Sequence, residues 1–434
     1  MESFLLICTY LISYLIFSIT IYKITNFKFS LLTLFYGYIS IFFFPGLLFE
    51  YFLPSYVLNY TYTLSESKTL ALFSMSLFYI FFSLSLVICS KYLKIKLTKK
   101  KIAILPKTNY LILLSIPFIL IGLYYFHTTK IYNSLLFALN GDMINAYITR
   151  TAGTNAITKH GGLLTSPFKY IFPIISLTFF SKFLIEKNKK SLIFSTIFFI
   201  LSLTYSIVSI QKYQIFSLLL GFLLLYMIIF KKEFSLKWIL ITMIVFISTI
   251  SILVAFYIQD FNISRLFIIS KGMIHRIFLS TPATYIVYID YILNFETNHL
   301  GLTFPNIGHI LPYNPISYTK IISHEYTKSI TGVTGSMPTF FYGEILLNFS
   351  IIGSIIFIFL FSTIIFFTHY NLYHLRLSTI NNTGLYAIYA YFGSKLIEII
   401  TSSTGTIFNY ITIYDPLSII IPVLIIVSSS KIKS

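Results

Sequence analysis

Long apolar runs recur along almost the whole of this 434-residue chain, and they constrain its fold more than any other feature. Each run extends for about 20 residues, the length that an α-helix needs to cross the roughly 30 Å hydrocarbon core of a bilayer. Charged residues make up only 10% of the chain, whereas soluble domains contain about 25%. The sequence therefore predicts an all-α integral membrane protein with a single polytopic domain over residues 1–434.

The apolar runs predict about 11 transmembrane helices. Their boundaries lie near 3–22, 30–52, 69–90, 109–127, 167–185, 191–210, 213–230, 238–258, 346–367, 384–400 and 411–429. Only Gln211 and Lys212 separate the sixth run from the seventh. An alternative interpretation is therefore that the two runs form one broken helix and not two spans. The first run lacks a preceding basic segment and a small-residue cleavage site, so we interpret it as a helix and not as a removed signal peptide.

Lysine clusters predict the orientation of these helices. The clusters lie at 91–107, 187–190, 231–237 and 431–433. With 11 spans all of them fall on one face, which the positive-inside rule assigns to the cytoplasm. The amino terminus is then outside and the carboxyl terminus inside. Two long segments, 128–166 and 259–345, face outward, and the second contains an amphipathic stretch, Arg265 to Leu293, that is expected to form a helix at the membrane interface.

Composition also excludes several classes of function. The formal net charge is +18, but a cytoplasmic fringe of lysines accounts for it, so nucleic-acid binding is not expected. Cys8 and Cys89 both lie in predicted spans and are not expected to form a disulfide. The chain has no Walker loop and no DxD pair, and no histidine follows the His324-Glu325 pair at the spacing of a zinc motif. We therefore predict neither a metal nor a cofactor.

Arginine is rare and unevenly placed. Only four of the 31 cationic side chains are arginine, and Arg150, Arg265 and Arg276 all fall in the two outer segments. A guanidinium group binds phosphate through two parallel hydrogen bonds, which lysine cannot make. These arginines are therefore candidate contacts to a phosphorylated ligand, and Lys159 and Lys212 are candidate helpers on the same side.

Proton acceptors are also concentrated outside. Five of the eight histidines and several carboxylates fall in the outer segments, and a sixth histidine, His127, lies at the outer end of the predicted fourth span. His324, Glu344 and Asp260 are the candidate bases among them, because histidine and carboxylate accept protons near neutral pH. Within the tenth span, Lys395 and Glu398 are three residues apart and share a helix face. They form either a structural ion pair or a functional one, since ionisable residues inside a membrane are costly.

Three stretches resemble the Wzy-type O-antigen polymerases, also called oligosaccharide repeat-unit polymerases. Arg150 is followed by Gly161, like the arginine-to-glycine motif of outer loops in that family. The junction Ser209-Ile210-Gln211-Lys212 is similar to a serine-arginine-glycine junction, with lysine in place of arginine. The segment from Gly343-Glu344 through Asn348-Phe349 to Gly353 resembles the pattern that opens a late span. Ser350 stands where glycine is common, and the second outer segment lacks the arginine-to-glycine motif.

The resemblance implies the membrane-embedded, GT-C type glycosyltransferase fold at the periplasmic face of the bacterial inner membrane. The expected reaction transfers a growing glycan from undecaprenyl diphosphate to the sugar of another lipid-linked repeat unit, without a metal. The cationic residues above would contact the diphosphate, and His324, Glu344 or Asp260 would accept the proton. The implied partners are undecaprenyl-diphosphate-linked glycans and membrane lipid, with room for a chain-length regulator protein.

Two other functions fit parts of the same pattern. An O-antigen ligase uses the same donor but transfers the glycan to a lipid A core, and it also carries a large outer loop with arginine and histidine. A lipid-linked glycan flippase is a transporter, and transporters usually have paired half-repeats and short loops. The sequence has no such halves, and the outer segment 259–345 is long. The polymerase is therefore the favoured prediction.

Overall fold

The computed structural model describes residues 2–27, 30–52, 65–92, 103–142, 165–208, 212–230, 279–295, 318–327, 339–377, 382–400 and 420–433, together with a few isolated positions between them. The chain divides into two compact units. Unit 1 comprises 1–97, 274–375 and 396–414, and unit 2 comprises 98–273, 376–395 and 415–434.

The described residues are helical except for one short strand pair. The first half of the chain contains α1 (Glu2–Thr25), α2 (Leu31–Tyr38), a π-helical turn π1 (Ile39–Phe43), α3 (Phe44–Phe52), α4 (Ser65–Tyr92), β1 (Ala103–Pro106), α5 (Thr108–Thr129), α6 (Tyr132–Leu139), a second π-helical turn π2 (Pro167–Ile171), α7 (Phe172–Glu186) and α8 (Lys189–Val208). The second half contains α9 (Lys212–Ile229), α10 (Thr281–Asn294), α11 (Tyr318–Thr327), α12 (Phe341–Leu377), α13 (Thr383–Ile400), α14 (Ile420–Ser428) and β2 (Ser430–Lys433).

Seven of the described helical segments are long and apolar enough to cross a membrane, which confirms a multi-pass membrane protein. They are Ser3–Thr25, Leu31–Phe52, Glu66–Tyr92, Thr108–Thr129, Pro167–Glu186, Lys189–Val208 and Phe341–Tyr370, and each coincides with a predicted span. The predicted span at 238–258 lies almost entirely outside the described residues. The described apolar part of α9 is shorter, Ser217–Ile229. Ser206 on α8 donates to Gln214 on α9, and Phe199 packs against Phe222, so α8 and α9 run antiparallel and are two separate helices.

In unit 1 the long helices run in alternating directions. Tyr36 on α2 donates a 3.1 Å hydrogen bond to Ser18 on α1, while Tyr10, earlier on α1, reaches the Phe44 carbonyl oxygen on α3 at 3.4 Å. The α2–α3 segment is therefore antiparallel to α1. Helices α1 and α4 are parallel, because Tyr10 and Phe17 lie against Tyr79 and Phe82 in the same order.

Helix α12 runs in the same direction as α4. Ser85 approaches the Phe359 carbonyl oxygen, and Cys89, one turn later, approaches Thr363 at 3.4 Å. The 11-span prediction also gives these two helices the same direction, because it places six crossings between their starts. The last residues of α3 and the first residues of α4 and α12 therefore lie at the same end of unit 1.

In unit 2 neighbouring helices also alternate. Ser176 on α7 donates to the Ser195 carbonyl oxygen on α8 at 2.7 Å, and Ser195 donates back to the Ser176 carbonyl oxygen at 3.0 Å. These small side chains let the two backbones approach closely, as is common between membrane helices. Phe168, before α7, stacks on Tyr205 near the end of α8, so the two helices are antiparallel.

Two of the lysine-rich segments meet at one end of unit 2. Strands β1 and β2 pair antiparallel, with Ala103 opposite Lys433, so the segment after the first lysine cluster lies beside the carboxyl terminus. At the same end the buried Lys182 side chain donates to the Pro106 carbonyl oxygen at 3.0 Å and to Thr108 at 2.9 Å. The predicted topology places these segments together, and the strand pair joins two of them directly.

The segment 259–345 contains helix α10, which is buried on all its faces over nine residues. Nine consecutive residues, Pro282 to Asp290, are buried. The amphipathic pattern from Arg265 to Leu293 favours a helix with one face in contact with the membrane surface. Over its described part, α10 is instead a core element of unit 1, and α3, α4 and α11 pack against it.

Candidate functional site

The structure describes three of the predicted site residues, and only one of them with its side chain. Glu344 is described in full, whereas Lys212 begins α9 and His324 lies on α11 with side chains outside the described residues. The remaining predicted site residues lie wholly outside the described ranges; they are Arg150, Lys159, Asp260, Arg265 and Arg276. Lys395 is described, but the side chain of Glu398 is not.

Glu344 lies in the first turn of α12 and is only 2% exposed. The four first backbone N–H groups of a helix carry partial positive charge, which favours a carboxylate at this position. Asn348, one turn later, donates from its side chain to the Glu344 carbonyl oxygen at 2.7 Å. A carboxylate is thus held inside the protein at the start of the helix.

Tyr288 on α10 lies within electrostatic range of Glu344. Burial raises the pKa of the Tyr288 phenol well above its usual range, and the negative charge of Glu344 raises it further. A phenol in this setting stays protonated at neutral pH and can only act as a neutral hydrogen-bond donor or acceptor. Tyr288 also packs in a cluster with Val287, Ile322 and Leu347, so its ring is held in place.

The helix that follows Glu344 is kinked within the motif that the sequence singled out. Ser350 has φ +57° and ψ −169°, a conformation in which non-glycine residues are strained. A Cβ atom on Gly353 would lie 2.5 Å from the Cβ atom of Phe349, closer than two carbon atoms can approach. The kink thus provides a physical reason for small residues at positions 350 and 353.

A second carboxylate, Asp290 on α10, joins three helices. Ser67 on α4 donates to Asp290 Oδ1 at 2.6 Å, and Tyr326 on α11 donates to Asp290 Oδ2 at 2.5 Å. Asp290 is 8% exposed. Burial, followed by the hydrogen bond and the charge of Asp290, raises the pKa of the Tyr326 phenol. Because each carboxylate oxygen has its own donor, Asp290 is suited to position helices and not to accept a proton.

A third carboxylate, Glu50, lies in the last turn of α3 and is 4% exposed. Its Oε2 atom is buried and accepts no hydrogen bond from the described residues. Lys68, in the first turn of α4, attracts it electrostatically. Glu50, Asp290 and Glu344 all lie on α10 or on helices that pack against it, and we call them the α10 carboxylates.

The helix directions place the α10 carboxylates at one end of unit 1, the end predicted to face outward. A separate cavity lies at the opposite end, with a volume of about 760 Å³, and its lining includes Lys23, Ser90 and His369. That end is predicted to be cytoplasmic. At the end predicted to face outward, Glu50 and Glu344 are buried carboxylates that can accept a proton, and the neutral phenols can bind hydroxyl groups.

Sequence reasoning named Glu344 but not Glu50, Tyr288 or Tyr326. An acidic residue inside an apolar run is a signal in itself, and Glu50 lies within the predicted span 30–52. No comparable signal marks the tyrosines, because the chain contains 35 of them. Their partners are distant in sequence, and only the fold brings them together.

No group of three or more His, Cys, Asp or Glu residues within the described ranges is placed to hold a metal ion. Cys8 and Cys89 are both free, as their positions in predicted spans indicated.

Comparison with known proteins identifies no relative. No protein-family model matches the chain, and no curated protein or solved structure is significantly similar to it.

Proposed function

We propose that this protein polymerises undecaprenyl-diphosphate-linked oligosaccharide repeat units into O-antigen or a related surface polysaccharide. The reaction takes place at the periplasmic face of the bacterial inner membrane, in a GT-C type fold with 11 spans. A hydroxyl group of the acceptor sugar forms a bond to the anomeric carbon of the donor glycan. The bond from that carbon to the diphosphate oxygen breaks, undecaprenyl diphosphate leaves, and the hydroxyl proton passes to a base.

One observation carries the proposal: the glutamate of the motif that resembles the family is buried at the start of α12. Glu344 is 2% exposed and faces a helix from the long outer segment. A glutamate without a role would be expected at the surface, because burying an unneeded charge costs free energy. The motif thus coincides with an unusual electrostatic environment.

Glu344 is the proposed base. The start of α12 stabilises its negative charge, while its burial excludes the water that would otherwise solvate it. A carboxylate within hydrogen-bonding distance of the acceptor hydroxyl can take its proton late in the reaction. Tyr288 stays neutral beside it and can donate a hydrogen bond to a sugar oxygen. His324 and Asp260 are the alternatives for the same step.

Cationic side chains are the proposed contacts to the leaving diphosphate. Its negative charge grows as the glycosidic bond breaks, so preorganised cations stabilise the transition state more than the bound substrate. The proposed contacts are Arg150, Arg265, Arg276, Lys159 and Lys212. Diphosphate is already a good leaving group, so the proposed reaction needs no metal and no cofactor.

The test uses the purified full-length protein in detergent with a lipid-linked repeat unit from the same cell. The expected result is a ladder of longer lipid-linked glycans from the wild-type protein and none from Glu344→Gln. The matched control is Glu66→Gln, because Glu66 is exposed in the first turn of α4. Wild-type protein that produces no elongated glycan with its own repeat unit would remove the proposal.

The two alternative functions give different results in cells. Loss of a polymerase leaves a single repeat unit on the lipid A core, whereas loss of a ligase leaves none. Loss of a flippase leaves lipid-linked repeat units on the cytoplasmic side. A gel of surface lipopolysaccharide from a deletion strain therefore separates a polymerase from a ligase, and elongation in detergent separates an enzyme from a transporter.

A further inference from the structure

The cavity at the end of unit 1 opposite the α10 carboxylates lies between three membrane-spanning helices. Residues of α1, α4 and α12 line it, and its volume is about 760 Å³. Pockets that bind small molecules have volumes of roughly 300–1,000 Å³. The cavity is therefore large enough for a ligand of the size of a lipid head group with part of its chains.

The apolar wall of the cavity is continuous with an exposed helix surface. Ile16 and Ile19 on α1 are each 44% exposed, and Val87 on α4 is 46% exposed. Both helices are long and apolar enough to cross a membrane. In a bilayer such side chains meet lipid tails, which are as apolar as they are, so an acyl chain can enter the cavity along them without leaving the membrane.

The polar lining lies at one end of the cavity. On each of the three helices a polar lining residue follows an apolar one by about one turn. The pairs are Ile19 and Lys23, Val87 and Ser90, and Phe366 and His369. Because α1, α4 and α12 run in the same direction, the polar members of these pairs are together at one end, and the apolar members lie deeper in the membrane.

Exposed tyrosines mark the level of this polar end. Tyr22 on α1 is 53% exposed and Tyr92 on α4 is 73% exposed. Tyr22 precedes Lys23 directly, and Tyr92 follows Ser90 by two positions. Tyrosine is enriched where a membrane protein crosses from hydrocarbon to water. The polar end of the cavity therefore lies at the depth of the lipid head groups.

The polar end carries positive charge and amide donors. Lys23 lies in the last turn of α1 and is exposed. Asn26, which lines the cavity beside it, has φ +48° and ends the helix, in a left-handed conformation that asparagine adopts more readily than most residues. Among the described residues that line the cavity, none is an aspartate or a glutamate. An ammonium group and amide N–H groups without a neighbouring carboxylate are complementary to a phosphate.

We propose that this cavity binds an anionic phospholipid, with its phosphate at Lys23 and Asn26 and an acyl chain along Ile16, Ile19 and Val87. Basic pockets between membrane helices on the cytoplasmic side bind anionic head groups, and this end of unit 1 is the end predicted to be cytoplasmic. The bound lipid contacts α1, α4 and α12 at once and so stabilises their packing. The site is distinct from the α10 carboxylates and does not depend on the proposed function.

The test compares binding of two phospholipids to the purified full-length protein in detergent by native mass spectrometry. Dioleoyl phosphatidylglycerol is anionic, whereas dioleoyl phosphatidylcholine has the same chains and no net charge, so the wild-type protein should bind the first more tightly. Lys23→Gln is expected to weaken binding of phosphatidylglycerol about fivefold, and Lys23→Arg should retain it. The matched control is Lys190→Gln, which removes an exposed lysine that does not line the cavity.

A second pair of variants tests the apolar wall independently of charge. Val87→Trp should narrow the cavity and weaken binding of both lipids. Ile80→Trp is the control, because Ile80 is 39% exposed on the same helix and does not line the cavity. Both positions are exposed, so a larger side chain can be accommodated without disturbing the core.

Three results would each overturn the proposal. One is equal binding of phosphatidylglycerol and phosphatidylcholine by the wild-type protein. Another is unchanged phosphatidylglycerol binding in either Lys23→Gln or Val87→Trp, because the proposed site needs both the charge and the wall. The third is displacement of phosphatidylglycerol by glycerol 3-phosphate, which carries a phosphate but no acyl chain and would identify a site for a water-soluble phosphate ester.

Discussion

Tyr326 donates a 2.5 Å hydrogen bond to Asp290 and thereby joins α11 to α10. Ser67 donates to the other oxygen of the same carboxylate from α4. The two bonds fix α10, from the segment 259–345 that is predicted to face outward, against the start of the membrane-spanning helix α4. Since Tyr288 and Asp290 are both on α10, these contacts also set the position of the phenol that lies near Glu344.

Replacing Asp290 by asparagine should destabilise unit 1. The substituted amide turns one acceptor into a donor, so either Ser67 or Tyr326 loses its bond to a charged group, at a cost of about 1–3 kcal/mol. Unfolding of the purified protein in detergent, followed by circular dichroism during titration with SDS, measures the change. Tyr326→Phe should also lower the free energy of unfolding, because it removes the hydrogen bond to Asp290 Oδ2. Equal stability of Asp290→Asn and the wild-type protein would show that this carboxylate does not hold the helices together.

Alkaline pH should destabilise the protein in part through Tyr326. The pKa of its phenol is raised above the ordinary value of 10.0 by burial and by Asp290. Between pH 10 and this raised value the folded state binds more protons than the unfolded state. This stabilisation is therefore complete below pH 10 and is lost as the pH rises further. The free energy of unfolding should fall less steeply above pH 10 in Tyr326→Phe, whereas a slope identical to that of the wild-type protein would contradict the raised pKa.

Glycine at position 350 should stabilise α12. Ser350 has φ +57° and ψ −169°, and this region of backbone space is almost exclusive to glycine. Ser350→Gly should raise the free energy of unfolding by about 0.5–1 kcal/mol, and Ser350→Val should lower it. The matched control is Ser362→Gly, which lies in the regular part of the same helix, where glycine costs about 1 kcal/mol. Destabilisation by both glycine substitutions would contradict the kink.

Alanine at position 384 should disturb unit 2. A Cβ atom there would lie 2.7 Å from Ile104 Cγ2 and 3.0 Å from the Ile104 backbone oxygen. Because backbone atoms cannot move aside as a side chain does, Gly384→Ala is expected to cost about 1–3 kcal/mol. Gly221→Ala is the comparison, since its nearest atom is the flexible Leu177 Cδ1 at 3.2 Å. In detergent, the midpoint temperature of thermal unfolding should be much lower for Gly384→Ala than for Gly221→Ala. The reverse order would exclude the close contact with β1.

Cysteine labelling in intact cells should place Lys130 and Lys107 on opposite sides of the membrane. They flank helix α5, which is long enough to span it, and both side chains are exposed. In a background with Cys8 and Cys89 replaced by alanine, a membrane-impermeant maleimide should label Lys130→Cys and not Lys107→Cys. Lys190→Cys should also stay unlabelled. Two crossings, α5 and α7, separate Lys107 from Lys190, so both positions are predicted to lie on the same side of the membrane. If only Lys107→Cys were labelled, the protein would have the opposite orientation to the one predicted.

The sequence by itself located the seven long apolar helices that the structure describes. Crossing a bilayer requires about 20 apolar residues in succession, and this local requirement can be read from hydropathy without knowledge of neighbours. It also marked Glu344, because a carboxylate can accept a proton and Glu344 belongs to the motif that opens the predicted ninth span. It could not show which helix faces meet, since lipid is as apolar as the protein interior and leaves no periodic pattern.

Only the tertiary structure decided which distant residues share a site. Ser67 and Asp290 are separated by 223 positions, and Lys23 and Ser90 belong to different helices that line one cavity. Their proximity depends on how helices pack, and packing follows from the shapes and hydrogen bonds of many side chains at once. The strain at Ser350 is likewise a property of the packed backbone, because serine itself gives no sign of a positive φ.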